Sequence, residues 1–306
     1  MLGTMKRVML FVLTNILVIA AVSFLIQLLG LKPYLDSRGI DYMSLLIFCG
    51  LFGFVGSFIS LQISRWSAKR AMNIQLIDPD KPGSSTEREI VDMVRSLCTR
   101  NGLRTLPEIG IYESPELNAF ATGPSADRSL LAISSGLINR MDKNALDAVV
   151  GHEVAHIANG DMVTMTLVQG VVNTFVMFLA RVLAFFIENA MRGNRDNRRG
   201  GGLGFWGQYM LIQLLQTVLM LLASPLIYFY SRRREYAADA SSAKTTGREN
   251  MIAALQTLKK YTQIEDNRAP ALSTFKINGR GQGLVAMLYA SHPPLDARIE
   301  ALKNLR

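Results

Sequence analysis

Residues 142–160, DKNALDAVVGHEVAHIANG, hold two of the chain's three histidines, four positions apart around a glutamate: His152-Glu153-Val154-Ala155-His156. Positions four apart share a helix face, so both imidazoles can point at one metal ion. Glu153 projects beside them, where a carboxylate can take a proton from a metal-activated water. The flanks predict the helix itself. Asp142 is a good N-cap, Leu146, Val149, Val150, Val154 and Ile157 recur at helical spacing, and Asn159-Gly160 is a stop signal. The competing reading is a chance match on a solvated helix.

Two histidines are an incomplete site, because a catalytic zinc takes three protein ligands and keeps a fourth position for water. Downstream, Arg232-Arg233-Arg234-Glu235-Tyr236-Ala237-Ala238-Asp239 offers acids four apart on one helical face. That spacing suits one ligand and one carboxylate that orients a ligating histidine through its other ring nitrogen. The bland alternative is a charged helix start near a membrane, with Glu235 paired to the arginines. The last histidine, His292, precedes Pro293-Pro294. A histidine in that setting is more often a turn residue, but the rigid turn can also hold an imidazole as a donor to a tetrahedral oxyanion.

Together these residues resemble the HtpX family of bacterial membrane-bound zinc endopeptidases, in the gluzincin group that includes the CAAX-processing proteases. The likeness runs nearly end to end. It rests on Asn118-Ala119-Phe120-Ala121-Thr122-Gly123, on HEVAHIANGDM at 152–162, on Glu235 to Asp239, and on the His292-Pro293-Pro294 turn. The resemblance implies one zinc ion per chain, carried by His152, His156 and Glu235, with Glu153 as general base and Asp239 behind the ligands. It also implies that His292 and Arg298 help stabilise the transition state. Asn118, Ala119, Phe120 and Ala121 would belong to an edge strand that pairs with extended substrate. Quality control of misfolded membrane proteins under stress is the implied role.

Hydrophobic residues make up 49% of the chain, high for a soluble protein, and they are concentrated. Residues 8–29 are an uncharged run of 22 and residues 42–64 one of 23, each long enough for a hydrocarbon core of about 30 Å. Lys6 and Arg7 precede the first run, but no small-residue cleavage site follows, so it reads as a retained anchor and not a signal peptide. Gly50, Gly53, Gly56, Ser57 and Ser60 form a small-residue stripe on the second, which packing against the first explains. Residues 162–180 and 203–230 are two further runs. Arg181 interrupts the former and is expected to snorkel, pair with Glu188, or face protein. Thr164, Thr166, Gln169, Asn173 and Thr174 make that run polar enough for part of it to line a cavity above the zinc.

Lys6 and Arg7 before the first run, and Arg65, Lys69 and Arg70 after the second, make both outer ends cytoplasmic. His152 and Glu235 must share one ion, so two spans or two re-entrant segments separate them. Arg192, Arg195, Arg198 and Arg199 in the intervening loop are poor periplasmic composition and leave both options open. The net charge of +9 fits an anionic membrane face. No nucleic-acid module is recognisable, so no nucleic-acid partner is expected. With only Cys49 and Cys98, a thiolate zinc site and a structural disulfide are both disfavoured.

Between the membrane runs, Thr86-Glu87-Arg88-Glu89 predicts a capping box opening a helix to about Arg100. Residues 107–112, 117–122 and 130–134 read as short strands. Residues 235–260 read as helix with a break at Gly247, 263–282 as loop, and a last helix begins near Pro294. The chain is therefore expected to be an α-helical, multi-pass protein of the cell inner membrane, with about four hydrophobic helices and a cytoplasmic α+β zincin-like catalytic domain. Residues 1–66 would form a two-helix anchor, 67–160 the first catalytic part, 161–231 two further membrane-embedded helices with a basic loop, and 232–306 the second catalytic part. The expected function is a zinc-dependent endopeptidase working at the lipid bilayer on misfolded membrane proteins or peptides. A non-proteolytic scaffold with a structural zinc, or a transporter, is the alternative. Structural zinc usually has four protein ligands, whereas three can be named here beside an intact Glu153.

Overall fold

In the computed structural model the described residues are Phe24, Gln27, 41–193, 203–261 and 292–305. In chain order they form α1 (Tyr42–Ala71), β1 (Gln75–Ile77), α2 (Ser85–Arg100), β2 (Glu108–Tyr112), β3 (Ala119–Ser125), β4 (Arg128–Ser134) and α3 (Ser135–Arg140). There follow α4 (Lys143–Asn159), α5 (Asp161–Gly193), α6 (Gly204–Thr246), α7 (Arg248–Lys260) and α8 (Leu295–Lys303). The chain divides into two units, Met1–Ile59 with Thr166–Ile227, and Ser60–Met165 with Tyr228–Arg306.

In the first unit, apolar length dictates helix. The helices α1, α5 and α6 are each long and apolar enough to cross a membrane. Three of the four expected runs are thus helical, and run 8–29 lies outside the described residues except for Phe24 and Gln27. Two members of the small-residue stripe, Gly53 and Ser57, meet the third run; packing of the stripe against the first run falls outside the described residues. A Cβ on Gly53 would lie 2.6 Å from Thr174 Oγ1, and Asn173 Nδ2 donates to Ser57 Oγ at 3.3 Å. Within α5, Gln169 Nε2 donates to Asn173 Oδ1 at 2.8 Å, so Gln169 steadies the amide that reaches α1. Arg181 faces protein, with its guanidinium 5.4 Å from the Phe48 ring centroid.

The second unit is built on a four-stranded sheet of order β1-β2-β4-β3. Strands β2 and β4 run parallel, while β1 and β3 flank them antiparallel as the two edges. After Arg128, strand β4 is buried on both faces, which is why its middle, residues 130–133, is a continuous apolar run. Leu131 and Ile133 join Val94 and Leu97 of α2, Val149, Val150 and Val154 of α4, and Leu255 and Leu258 of α7 in the main core. Leu130 and Ala132 turn the other way, onto Tyr112, Phe120 and Ala68 of α1. Full burial of a side chain such as Leu131 contributes about 1.5–3 kcal/mol, so the sheet is the platform that fixes α4.

Two local expectations shift. The capping box lies earlier than expected, where Ser84 Oγ accepts from Glu87 N at 3.1 Å and Glu87 Oε2 accepts from Gly83 N at 2.6 Å. Serine is the better N-cap, and Glu87 is its third helical residue. Strand β1 was not expected, because three residues are too few for periodicity to register. The expected loop at 263–282 lies outside the described residues.

Gly123 marks the irregularity that pairs β3 with β4. It takes φ 136°, and an added Cβ would lie 2.3 Å from Arg128 O and 2.8 Å from Ser129 Cα. Gly123→Ala should therefore lower stability by about 1–3 kcal/mol, read as a drop in the thermal unfolding midpoint of the detergent-purified protein.

Candidate active site

Helix α4 is cut from the sequence as its signals require. Asp142 Oδ1 accepts from Ala145 N at 2.9 Å at the start, and Gly160 closes the end in the left-handed region at φ 69°. His152 and Glu153 are buried, and His156 is nearly so. The carboxyl-terminal turns of α6 lie close against α4 at Gly151, where a Cβ would meet Ser242 Oγ and Thr246 Cγ2, each at 3.0 Å. Ser242 Oγ donates to Ala148 O at 2.6 Å, so polar contact reinforces the close approach. Gly151 sits one residue before His152. Bringing the helices together there delivers Glu235 and Asp239 to the histidines.

The donor atoms converge. His152 Nε2 and His156 Nε2 are 3.1 Å apart, Glu235 Oε1 is 3.3 Å from His156 Nε2, and Glu235 Oε2 is 3.5 Å from His152 Nε2. Ligand atoms of a tetrahedral ion with bonds of about 2.0–2.2 Å lie about 3.3–3.6 Å apart, so the set fits a small divalent cation. Among the described residues these three form a candidate metal-holding group. Glu235 Oε2 is buried without a hydrogen bond, as befits an atom meant for a ligand.

The other ring nitrogens are held by carboxylates. Asp239 Oδ1 is 2.9 Å from His152 Nδ1, the orienting contact that the Glu235/Asp239 spacing suggests. Asp161 Oδ2 is 2.5 Å from His156 Nδ1, and the sequence reading did not assign this residue. Its signal in the sequence is an acid directly after the Gly160 stop, at the entry to an apolar run whose hydropathy masks it. Arg298 is fully buried and forks onto Asp239, with Nε to Oδ2 at 2.8 Å and Nη2 to Oδ1 at 2.6 Å. Its Nη1 lies 3.4 Å from Glu235 Oε2. The guanidinium thus stands on the Nδ1 side of His152. His292 Nδ1 is 2.7 Å from Glu235 Oε2, in contact but out of line for a hydrogen bond.

Asn118 precedes the edge strand β3 and is fixed from within. Its Nδ2 donates to Tyr112 Oη at 3.1 Å, and its backbone N donates to Ser134 Oγ at 3.1 Å. Ala119, Phe120 and Ala121 then pair with Ile133, Ala132 and Leu131 on one side only, leaving the outer edge of β3 without a strand among the described residues.

Burial raises the Glu153 pKa above the usual carboxylate range, with the histidines opposing and Glu235 reinforcing the shift. For His156, burial works against charge, yet Asp161 and Glu235 push it up to about 10. His152 moves up likewise, where Asp239 and Glu235 outweigh burial. The same carboxylates that favour a proton on these rings favour a cation there.

A hydrolase that activates water at a metal needs an ion-sized cluster of donors and a carboxylate free to move protons, and α4 with α6 supplies both. Apolar helices of spanning length add attachment to a membrane. Residues 84–306 match the peptidase family M48. The chain is 49% identical over 304 residues to a protease HtpX homolog of Methylacidiphilum infernorum, covering 98% of this chain and 99% of that protein. It is 45% identical over 301 residues to protease HtpX of Chromohalobacter salexigens, covering 98% of each. Crystalline Ste24p of S. mikatae shares the fold at a TM-score of 0.59 and 21% identity, over 97% of this chain and 67% of that one. The chain belongs to peptidase family M48 and is a membrane-bound metalloprotease.

Removing one partner of a buried ion pair strands the other charge. Arg298→Leu should lower stability by about 3–5 kcal/mol, checked by chemical denaturation of the metal-free protein.

Proposed function

We propose that the metal is zinc, one ion per chain, held by His152, His156 and Glu235, and that this site cleaves peptide bonds in misfolded membrane proteins under stress. The observation that carries this reading is the convergence of the three donor atoms beside Glu153. Two nitrogens and a carboxylate oxygen are a donor set of catalytic zinc, which keeps a fourth position open. Bound zinc lowers the pKa of water and polarises the scissile carbonyl. Glu153 takes the proton of the attacking water at its carboxylate and returns it to the leaving amine. Its raised pKa brings it closer to the range suited to a base that must also act as an acid.

His292 donates to the developing oxyanion, from its place against Glu235. Arg298 acts through Asp239, keeping His152 in one tautomer and orientation. Asn118 anchors the start of β3, and Ala119, Phe120 and Ala121 offer their outer edge to an extended substrate backbone. Strand addition recognises main chain more than side chain, which suits a protease with many clients. A structural zinc in a non-proteolytic scaffold would not call for a buried carboxylate kept clear of the ligands.

The cations Lys6, Arg7, Arg65, Lys69 and Arg70 at the outer ends of the first two runs support a catalytic unit on the cytoplasmic face of the inner membrane. Single-cysteine variants at Lys81 and Lys303, without Cys49 and Cys98, should escape a membrane-impermeant thiol reagent in whole cells and react after lysis. Labelling of either position in intact cells contradicts this orientation.

Two substitutions separate chemistry from metal binding. Glu153→Gln should keep stoichiometric zinc and lose hydrolysis of casein. His292→Ala should keep zinc and lose about 10²–10³ in turnover. Zinc content and rate, measured on the same preparations, decide both; substantial cleavage by Glu153→Gln excludes it as the base.

A further inference from the structure

One carboxylate at the centre has no part in the mechanism above. Asp161 is 6% exposed and opens α5 directly after Gly160. Its Oδ2 meets His156 Nδ1 at 2.5 Å, and its Oδ1 lies 3.0 Å from Arg234 Nε, an ion pair whose N–H is out of line for a hydrogen bond. Arg234 immediately precedes Glu235 on α6. We propose that Asp161 and Arg234 are a second positioning pair of the metal centre: Asp161 fixes the ring of His156, and Arg234 fixes Asp161. The proposal rests on the metal-centre reading given above.

The chemistry requires such a partner. A ligating imidazole needs its Nδ1 hydrogen accepted, so that the Nε2 lone pair faces the ion and the ring cannot swing. His152 has this from Asp239, itself gripped by Arg298. His156 has the same arrangement from different elements, with the acid on α5 and the arginine on α6. Helix α6 therefore contributes a member to each pair as well as the ligand between them. Asp161 also lies in the first turn of α5, where the helix dipole favours its charge.

The ordinary alternative is that Arg234 is one of three interfacial cations. Its neighbour Arg233 fits that description, being exposed and stacked over Phe229 at 5.1 Å. Arg234 is different, with only 19% of its side chain exposed and its guanidinium turned to Asp161.

The test uses the full chain in detergent, stripped of metal and titrated with zinc against a chromophoric chelator. Asp161→Ala should weaken zinc binding about 10–100-fold, as loss of such partners does. Asp161→Asn, which still accepts a hydrogen bond, should recover part of that loss. Arg234→Ala should weaken binding less, and the double variant Asp161→Ala/Arg234→Ala should be no worse than Asp161→Ala alone, since Arg234 works through Asp161. Cobalt in place of zinc should give a visible spectrum altered in Asp161→Ala and closer to the parent in Asp161→Asn. Unchanged affinity and spectrum in the single variants, or additive losses in the double one, would overturn the pair. So would losses that merely follow a lower melting temperature of the metal-free protein, without rescue by Asp161→Asn. If Asp161→Ala does not accumulate, Asp161→Asn with and without Arg234→Ala makes the same comparison. A parent protein that binds neither zinc nor cobalt refutes instead the metal-centre reading.

Discussion

Three donor atoms must stay about an ion's width apart in a place from which water is nearly absent, and the rest of the catalytic unit follows from that. Moving a charged group from water into such a place costs several kcal/mol unless a partner replaces the solvent. The centre answers with alternation. Carboxylates of Glu235, Asp239 and Asp161 lie against the rings of His152 and His156, the guanidinium of Arg298 lies against Asp239 and Glu235, and that of Arg234 against Asp161. No ligand is held by backbone alone. The helices that carry them must therefore approach closely, which explains a glycine at 151 and a serine at 242 where α4 meets α6.

The sheet sets the second condition. Because β4 is buried on both faces, α4 rests on a strand that cannot slide without exposing Leu131 and Ile133. The same strand pairs with β3, so the edge offered to substrate and the helix holding the ligands share one support. Tyr112 and Asn118 complete the link: a buried hydroxyl and a buried amide satisfy each other at the entry to β3, where neither could find water.

Much of this was legible in the sequence where the signal is local. The helix bearing His152 and His156 is bounded by Asp142 and Gly160 as capping chemistry dictates, and Asp239 stands behind a ligand because four residues separate it from Glu235. What could not be read depends on which elements meet. The fork of Arg298 onto Asp239 joins residues 59 positions apart, and no spacing rule reports it. Gly53 and Ser57 of the small-residue stripe meet Thr174 and Asn173 of α5, a pairing that small residues announce as close packing without naming the neighbour. Asp161 was hidden differently. It belongs at once to the end of a catalytic motif and to the start of an apolar helix, and hydropathy dominates a window of that length.

The position of Glu153 shows where the pairing rule is suspended. Asp161, Asp239 and Glu235 each touch a ring nitrogen, whereas Glu153 has no hydrogen bond or ion pair with a described residue. Pairing it would lower its proton affinity and leave it a weaker base. Burial without a partner does the opposite and raises that affinity. The result is unfavourable for stability, because a buried carboxylate is left to burial's cost. The neighbouring network is dense enough to tolerate that one exception. Stability and reactivity are thus divided among side chains one to four residues apart on a single helix: His152 and His156 are held fast, and Glu153 between them stays free to exchange a proton.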